Sequence, residues 1–308
     1  MNTEKDDELV VLLHQLGGKI NYLPNPGNAG DSLIACATFQ FFERNNISYS
    51  VCSSENDIEA GDVFVFGGGG NFGGEKSRVA YYLRKYSERV KAFILLPHTL
   101  FGAKDLLTSL PSNVFLFCRE RVSYDYAKKH VTNAKVYLHD DMVFGADLQP
   151  LLSLDAKNTA PKQFTLECMR RIFGKSEDDF GISLKSYINY LFWNLKGHFS
   201  SPKEQGCALN AFRDDVEKTT IQLPIDNVDI SALYELSACE PSLSYLSVNR
   251  FLNHIKNYDI INTNRLHVAI AAAKLGKNVN LYGNNYFKIR AIYEYSLKGK
   301  YANVVWKE

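Results

Sequence analysis

Two basic side chains two residues apart, Arg265 and His267, stand where a strand should give way to a helix. They belong to Asn262-Thr263-Asn264-Arg265-Leu266-His267, and an alanine-rich stretch follows. Alanine favours helix and asparagine is a good N-cap, so the pattern predicts a helix opening just after Asn264. A helix N-terminus carries partial positive charge, and a cation there opposes the macrodipole by about 0.3–1 kcal/mol. Two such residues call for an anion. Backbone N–H groups, a guanidinium and an imidazole together suit a phosphate or carboxylate. The imidazole can also move a proton near neutral pH. Taken alone, the motif reads first as an arginine paired with a local carboxylate and a histidine packed in the core. The rest of the chain shifts that balance.

Two glycine clusters contribute. Pro26-Gly27-Asn28-Ala29-Gly30-Asp31-Ser32 follows a predicted strand and opens a predicted helix. Its glycines permit a sharp turn and close approach of a ligand, while Asp31 suits a helix start either as a cap or as a functional carboxylate. The second cluster is Gly67-Gly68-Gly69-Gly70-Asn71-Phe72-Gly73-Gly74, with six glycines in eight residues. Each glycine costs backbone entropy, and close approach to a ligand at a strand end is the expected reason. Gly68, Gly70 and Gly73 satisfy the dinucleotide fingerprint formally, but the next strand ends Leu96-Pro97-His98-Thr99 rather than on an acid. A Walker loop is absent, because Met169 stands where Gly174-Lys175-Ser176 needs its first glycine. There is no Asp-x-Asp metal motif and no nucleophile elbow. The pair Asp140-Asp141 has the chemistry to bind a cation, but a loop or domain-interface role is the favoured reading. His98, Arg119 with Glu120 and Ser123, Arg213 with Asp214, and Lys288 complete the candidates at strand ends. Jointly, Arg119, Arg265, His267 and Lys288 describe a site for a small, highly charged anion.

The elements that must position these residues alternate between short apolar runs and helical patterns. That rhythm predicts an α/β fold with parallel sheets. Strands are expected at 19–23, 47–52, 62–66, 92–96, 114–118 and 134–138, with helices at 31–44, 75–89 and 120–130. Prolines at 150 and 161 break the pattern. The expected division is a first Rossmann-like domain over 1–150, a linker and helical insertion over 151–205, and a second Rossmann-like domain over 206–308. In the insertion, Leu184, Tyr187, Ile188, Leu191 and Leu195 follow helical spacing. A core helix is the plain reading; a surface helix meeting membrane or a lipid-linked substrate is the sharper one. The second domain carries expected strands at 207–211, 258–262 and 278–282, and helices at 243–256, after Asn264, and 286–297. The two halves are expected to face a central cleft.

Composition bounds the function. The 308 residues carry 35 basic and 34 acidic side chains, a net charge of +1. A nucleic-acid binder should show a basic excess, so that partner class is not expected. The acidic opening does not resemble a signal peptide, and no run approaches the length of a spanning helix. Six scattered cysteines form no CxxC signature and fit a reduced, cytoplasmic enzyme. Oligomeric state is not readable.

Gly-Asn-x-Gly-Asp near the N-terminus, the Gly67–Gly70 run, Leu-Pro-His, Arg-Glu-x-x-Ser, Arg-x-Asp, Asn-Arg-Leu-His and a later Tyr-x-Lys come in one order. In that order and spacing the chain resembles the polysaccharide pyruvyl transferase family, over nearly its whole length except 150–205. His98 departs from the family, which often has glutamine there; this could retune the acceptor sugar without changing the reaction. The resemblance implies two Rossmann-like domains arranged as in GT-B glycosyltransferases. It implies transfer of the enolpyruvyl group of phosphoenolpyruvate onto two hydroxyls of one sugar, with no metal or organic cofactor. The acceptor would be a surface polysaccharide or its lipid-linked precursor, and the enzyme would work in the cytoplasm or against the inner membrane face. The family ties its Arg-Leu-His to the donor, which carries over to Arg265 and His267, with Leu266 between them.

On this reading Arg265 holds one acidic group of the donor and Lys288 or Arg119 the other. His267 is the expected general acid, and Asp31, from the opposite domain, the expected base for the sugar hydroxyl. Asn28, Gly30, Gly68, Gly69, Gly70, Asn71 and His98 are expected at the acceptor or in its loops. Two other functions fit the same residues: a GT-B glycosyltransferase using a nucleotide sugar, and a non-catalytic sugar- or anion-binding protein.

Overall fold

The structure is a computed structural model that describes residues 3–52, 57–154, 206–213 and 222–307. The chain divides into two compact units. The first comprises Met1–Asn25 and Ala37–Ala146; the second comprises Pro26–Cys36 and Asp147–Glu308. The short Pro26–Cys36 segment therefore groups with the C-terminal part, whereas chain order alone predicts one domain over 1–150.

The first unit is a parallel sheet of seven strands. They are β1 (Ile20–Leu23), β2 (Ser50–Val51), β3 (Val63–Phe66), β4 (Gly69–Gly73), β5 (Ala92–Phe101), β6 (Val114–Cys118) and β7 (Lys135–Leu138). The order is β2-β1-β3-β5-β6-β7, with β4 also paired to β5. β1 and β3 are wholly buried, as strands covered on both faces should be. Tyr22 of β1 meets Phe39 and Phe42 edge-on, at ring distances of 5.8 and 5.4 Å. The strand order reverses between β1 and β3, the switch point where doubly wound sheets bind ligands. Helix α1 (Thr3–Leu16) precedes β1, and α2 (Ala29–Arg44), α3 (Arg78–Tyr86), α4 (Lys104–Ser109) and α5 (Arg121–His130) connect strands, α2 beginning within Pro26–Cys36.

The expected glycine loop is a strand here. β5 runs ten residues; its first half pairs with β3, and its second half pairs with β4 from Gly69↔His98 to Gly73↔Phe101. Sequence periodicity ends this strand before Pro97, but proline lacks only the N–H donor, and a register shift between Leu95 and His98 accommodates it. β2 is shorter than expected, and α1, α4 and β4 are additions to the predicted elements.

The second unit holds a four-stranded parallel sheet ordered β11-β10-β9-β8. These are β8 (Ala208–Ala211), β9 (Ile260–Thr263), β10 (Asn278–Tyr282) and β11 (Val304–Lys307). β11 is a further addition to the predicted strands. Helices α6 (Leu148–Ser153), α7 (Ile230–Leu233), α8 (Pro241–Lys256), α9 (Leu266–Lys274) and α10 (Lys288–Ile292) belong to this unit, and a π-helical turn, Tyr293–Leu297, continues α10. α9 is buried almost throughout and packs on β9 and β10. Asn210, Asn262 and Asn280 stand in register on β8, β9 and β10 and form an amide ladder, with links of 2.9 and 2.8 Å. The candidate helix at 184–195 lies outside the described residues, as do Cys168 and Asp214. Among the described residues no helix is long and apolar enough to cross a membrane.

Candidate functional site

Parallel strands end together, so the carboxyl ends of β8, β9 and β10 deliver Arg213, the Asn264–His267 segment and, beyond Tyr282, Lys288 to one edge of the second sheet. Thr263 braces that edge. Its Oγ1 donates to the Ala211 carbonyl at 2.6 Å and accepts from the Arg265 N–H at 2.9 Å. Asn264 accepts the Arg213 N–H on Oδ1 at 2.8 Å. That bond redirects the side chain expected to cap α9. Arg265 occupies the N-cap position instead, in extended backbone, and its own side chain makes no capping hydrogen bond. The fully buried Nδ2 of Asn264 has no hydrogen-bond partner among the described residues. A buried amide donor left without an acceptor at a helix start is costly unless an acceptor from outside completes it.

Arg265 is buried, and its guanidinium is gripped side-on by Asp229. Nε donates to Oδ1 at 3.0 Å and Nη2 to Oδ2. His267 is half-buried on the first turn of α9, Leu266 is buried beside it, and Lys288 lies over the Tyr286 ring at 5.7 Å.

The first glycine cluster joins this same unit. Asn28 accepts the Gly30 N–H on its side chain at 2.8 Å, and Asp31 reaches back to accept the Asn28 N–H at 2.9 Å. This is a capping box at the start of α2. Gly30 lies flat against the histidine: a Cβ there would fall 2.6 Å from His267 Nδ1. A Cβ at Gly27 would collide with the Asp31 carboxylate. Asn28, Gly30 and Asp31 thus group with His267 and not with the first unit, because tertiary contacts rather than chain order set the units.

The other candidates lie in the first unit. Arg119, 1% exposed, donates Nε to Thr99 Oγ1 at 2.9 Å and Nη1 to Asp141 Oδ2 at 2.8 Å. Asp141 in turn accepts the Val143 N–H at 3.0 Å, which accounts for one carboxylate of the acidic pair. Glu120, fully buried, caps α5 through the Ser123 N–H at 2.9 Å and also accepts from the Ser123 hydroxyl. Burial pushes its carboxyl above the usual range; bonds from Ser123 and the charge of Arg119 oppose the shift. The Arg-Glu-x-x-Ser motif therefore ties β5, β6 and α5 together, and the sealed ion pair weighs against a direct anion contact by Arg119.

At the switch point, Asn25, Asn71 and His98 form one cluster. Asn71 Nδ2 donates to Asn25 Oδ1 at 3.0 Å, and His98 Nε2 lies 2.9 Å from Asn71 Oδ1. Asn25 Nδ2 donates to the Gly68 carbonyl at 3.3 Å. A Cβ at Gly67 would meet the Asn25 backbone nitrogen at 2.5 Å, and one at Gly69 would strike the Asn25 amide. Packing against Asn25 and His98 accounts for these two glycines. Sequence reasoning missed Asn25 and Asp229. Asn25 carries the weak signal of lying just after a strand, whereas Asp229 is 36 residues from its partner and carries none.

A family model described as polysaccharide pyruvyl transferase matches residues 28–286, from the α2 capping box to Tyr286. The chain belongs to that family, and its class is that of a transferase. A solved structure of a functionally uncharacterised protein from Klebsiella pneumoniae is 28% identical, with a TM-score of 0.75 over 100% of this chain and 99% of that one. The curated proteins contain no match.

Proposed function

We propose that the protein transfers the enolpyruvyl group of phosphoenolpyruvate to two hydroxyls of one sugar, in a bacterial surface polysaccharide or its lipid-linked precursor. A proton adds to the methylene carbon, which becomes the ketal methyl group. One sugar oxygen bonds to the adjacent carbon; the second displaces phosphate from it, and the carbon–oxygen bond to phosphate breaks. Of the two hydroxyl protons, one balances the methyl group and the other leaves with phosphate. Arg265, the α9 N-terminus and Lys288 hold the donor's phosphate and carboxylate. His267 delivers the proton and Asp31 accepts one from the sugar. Gly68, Gly69, Gly70, Asn71 and His98 serve the acceptor. The reading includes a GT-B-type fold, a cytoplasmic location and no metal or organic cofactor.

The observation that carries it is the α9 start, where Arg265 and His267 adjoin the buried Asn264 Nδ2, which has no partner among the described residues. The test is incubation with phosphoenolpyruvate and a panel of reducing-end-tagged sugars, following phosphate release and a mass gain for the ketal. A nucleotide-sugar donor is the competing reading. Thermal stabilisation by UDP-glucose and none by phosphoenolpyruvate would establish that one instead.

A further inference from the structure

We infer that Asp229 is a positioning residue that fixes the angle at which Arg265 addresses the donor, an inference that rests on the donor role proposed for Arg265. A guanidinium offers two edges for bidentate contact, side-on and end-on. Asp229 takes the side-on edge through Nε and Nη2, and that two-point grip sets the plane in which the guanidinium lies. Both partners are about nine-tenths buried. In that setting the pair resists solvent screening and holds its geometry.

The carboxylate is itself delivered by a rigid support. Residues 226–229 run along β8, and each is fastened. Asp226 accepts from Asn210 Nδ2 at 2.8 Å, at the end of the asparagine ladder. Asn227 brackets Phe212, accepting its N–H at 2.8 Å and donating to its carbonyl at 3.0 Å. The Val228 N–H donates to the Asn210 carbonyl at 2.9 Å. Asp229 Oδ1 also caps α7 through the Ala232 N–H at 3.3 Å. Through Asn210, Asn262 and Asn280 the same support reaches β9 and β10, whose ends carry Asn264 and lead to Lys288. A surface salt bridge would need none of this. Such a scaffold makes sense where misplacing a guanidinium by about 1 Å costs on the order of 10²-fold in rate.

The deciding experiment is a double-mutant cycle on donor binding. Asp229→Glu keeps the charge but displaces the guanidinium by one methylene. Arg265→Lys keeps a measurable cation without the planar fork. Dissociation constants for phosphoenolpyruvate and UDP-glucose are measured by calorimetry on wild type, both single variants and the double variant. The expected result is a loss of about tenfold or more from Asp229→Glu in the wild-type background, shrinking to about twofold or less in the Arg265→Lys background, because interacting residues are not additive. An equal loss in both backgrounds, or no loss in either, would overturn the positioning role. If Asp229→Glu fails to fold, Asp229→Asn is carried through the same cycle; a through-space charge effect would then persist in the Arg265→Lys background and would count against the inference. Coupling seen with UDP-glucose alone would leave Asp229 in its role and remove phosphoenolpyruvate as donor. Binding of neither probe to wild type would overturn both.

Discussion

Two strand–helix junctions that carry an arginine, those after β6 and β9, have opposite fates. At the end of β6, Arg119 is followed by Glu120, which caps α5, and the guanidinium turns into the core onto Thr99 and Asp141. At the end of β9, Arg265 itself sits at the N-cap, its side chain makes no capping bond, and the neighbouring Asn264 Nδ2 has no partner among the described residues. The first junction is complete within the protein. The second leaves the buried Nδ2 of Asn264 without an acceptor among the described residues. A basic residue at a helix start signals an anion site where a buried donor beside it still lacks an acceptor.

The sharpest way to break this comparison is at His267. His267→Ala is expected to lower turnover by about 10²–10⁴-fold while folding normally, as loss of a general acid does. Phosphate release under saturating substrate, with circular dichroism as the folding check, tests this. Near-wild-type turnover would remove the histidine from the chemistry. At the other junction the loss should be of stability. Arg119→Ala leaves the Asp141 carboxylate buried without its partner, at a cost of about 3–5 kcal/mol in denaturant unfolding. A variant that unfolds like wild type but has lost donor binding would reverse the roles drawn for the two arginines.

The glycines sharpen the contrast by a smaller amount. Gly67→Ala presses a Cβ onto the backbone of Asn25 and is expected to cost about 1–3 kcal/mol of stability. Gly30→Ala presses instead on side-chain atoms, His267 Nδ1 at 2.6 Å and His267 Cβ and Asn28 Oδ1 each at 3.0 Å. It should leave the thermal midpoint nearly unchanged while reducing turnover by about tenfold or more. Equal effects of the two substitutions on stability would show that Gly30 is no more than a packing glycine.

The smallest effect concerns pH. Burial raises the Glu120 carboxyl above its unfolded value, so the folded state binds more protons than the unfolded state between the two pKa values. Stability therefore falls as pH rises through that window and is level above it. Glu120→Gln should flatten this part of the profile in equilibrium unfolding followed from acid to neutral pH. An unchanged slope would assign the pH dependence to other carboxyls.

Much of the frame is legible from periodicity. The strands Val114–Cys118 and Asn278–Tyr282 coincide with the sequence reading, because a short apolar run between turn signals has few other uses. β4 is not legible, since glycine has low strand propensity and its pairing partner, the second half of β5, lies beyond a proline. At the candidate site, Arg265, Leu266, His267, Gly30 and Asp31 can be singled out by type and spacing. Their grouping cannot. Arg119 is expected among the donor cations, and only the fold reveals the Asp141 carboxylate that occupies it.

Local chemistry by itself determined where strands pass into helices, which of those passages carry cations, and which family the order of motifs resembles. Such features depend on neighbours a few residues apart. The tertiary structure decided which cations are already neutralised, that Pro26–Cys36 groups with the C-terminal half, and that Asp229 grips Arg265. Those outcomes depend on pairings between residues far apart in the chain, and burial determines whether a charge must find its partner inside the protein or can await one from outside.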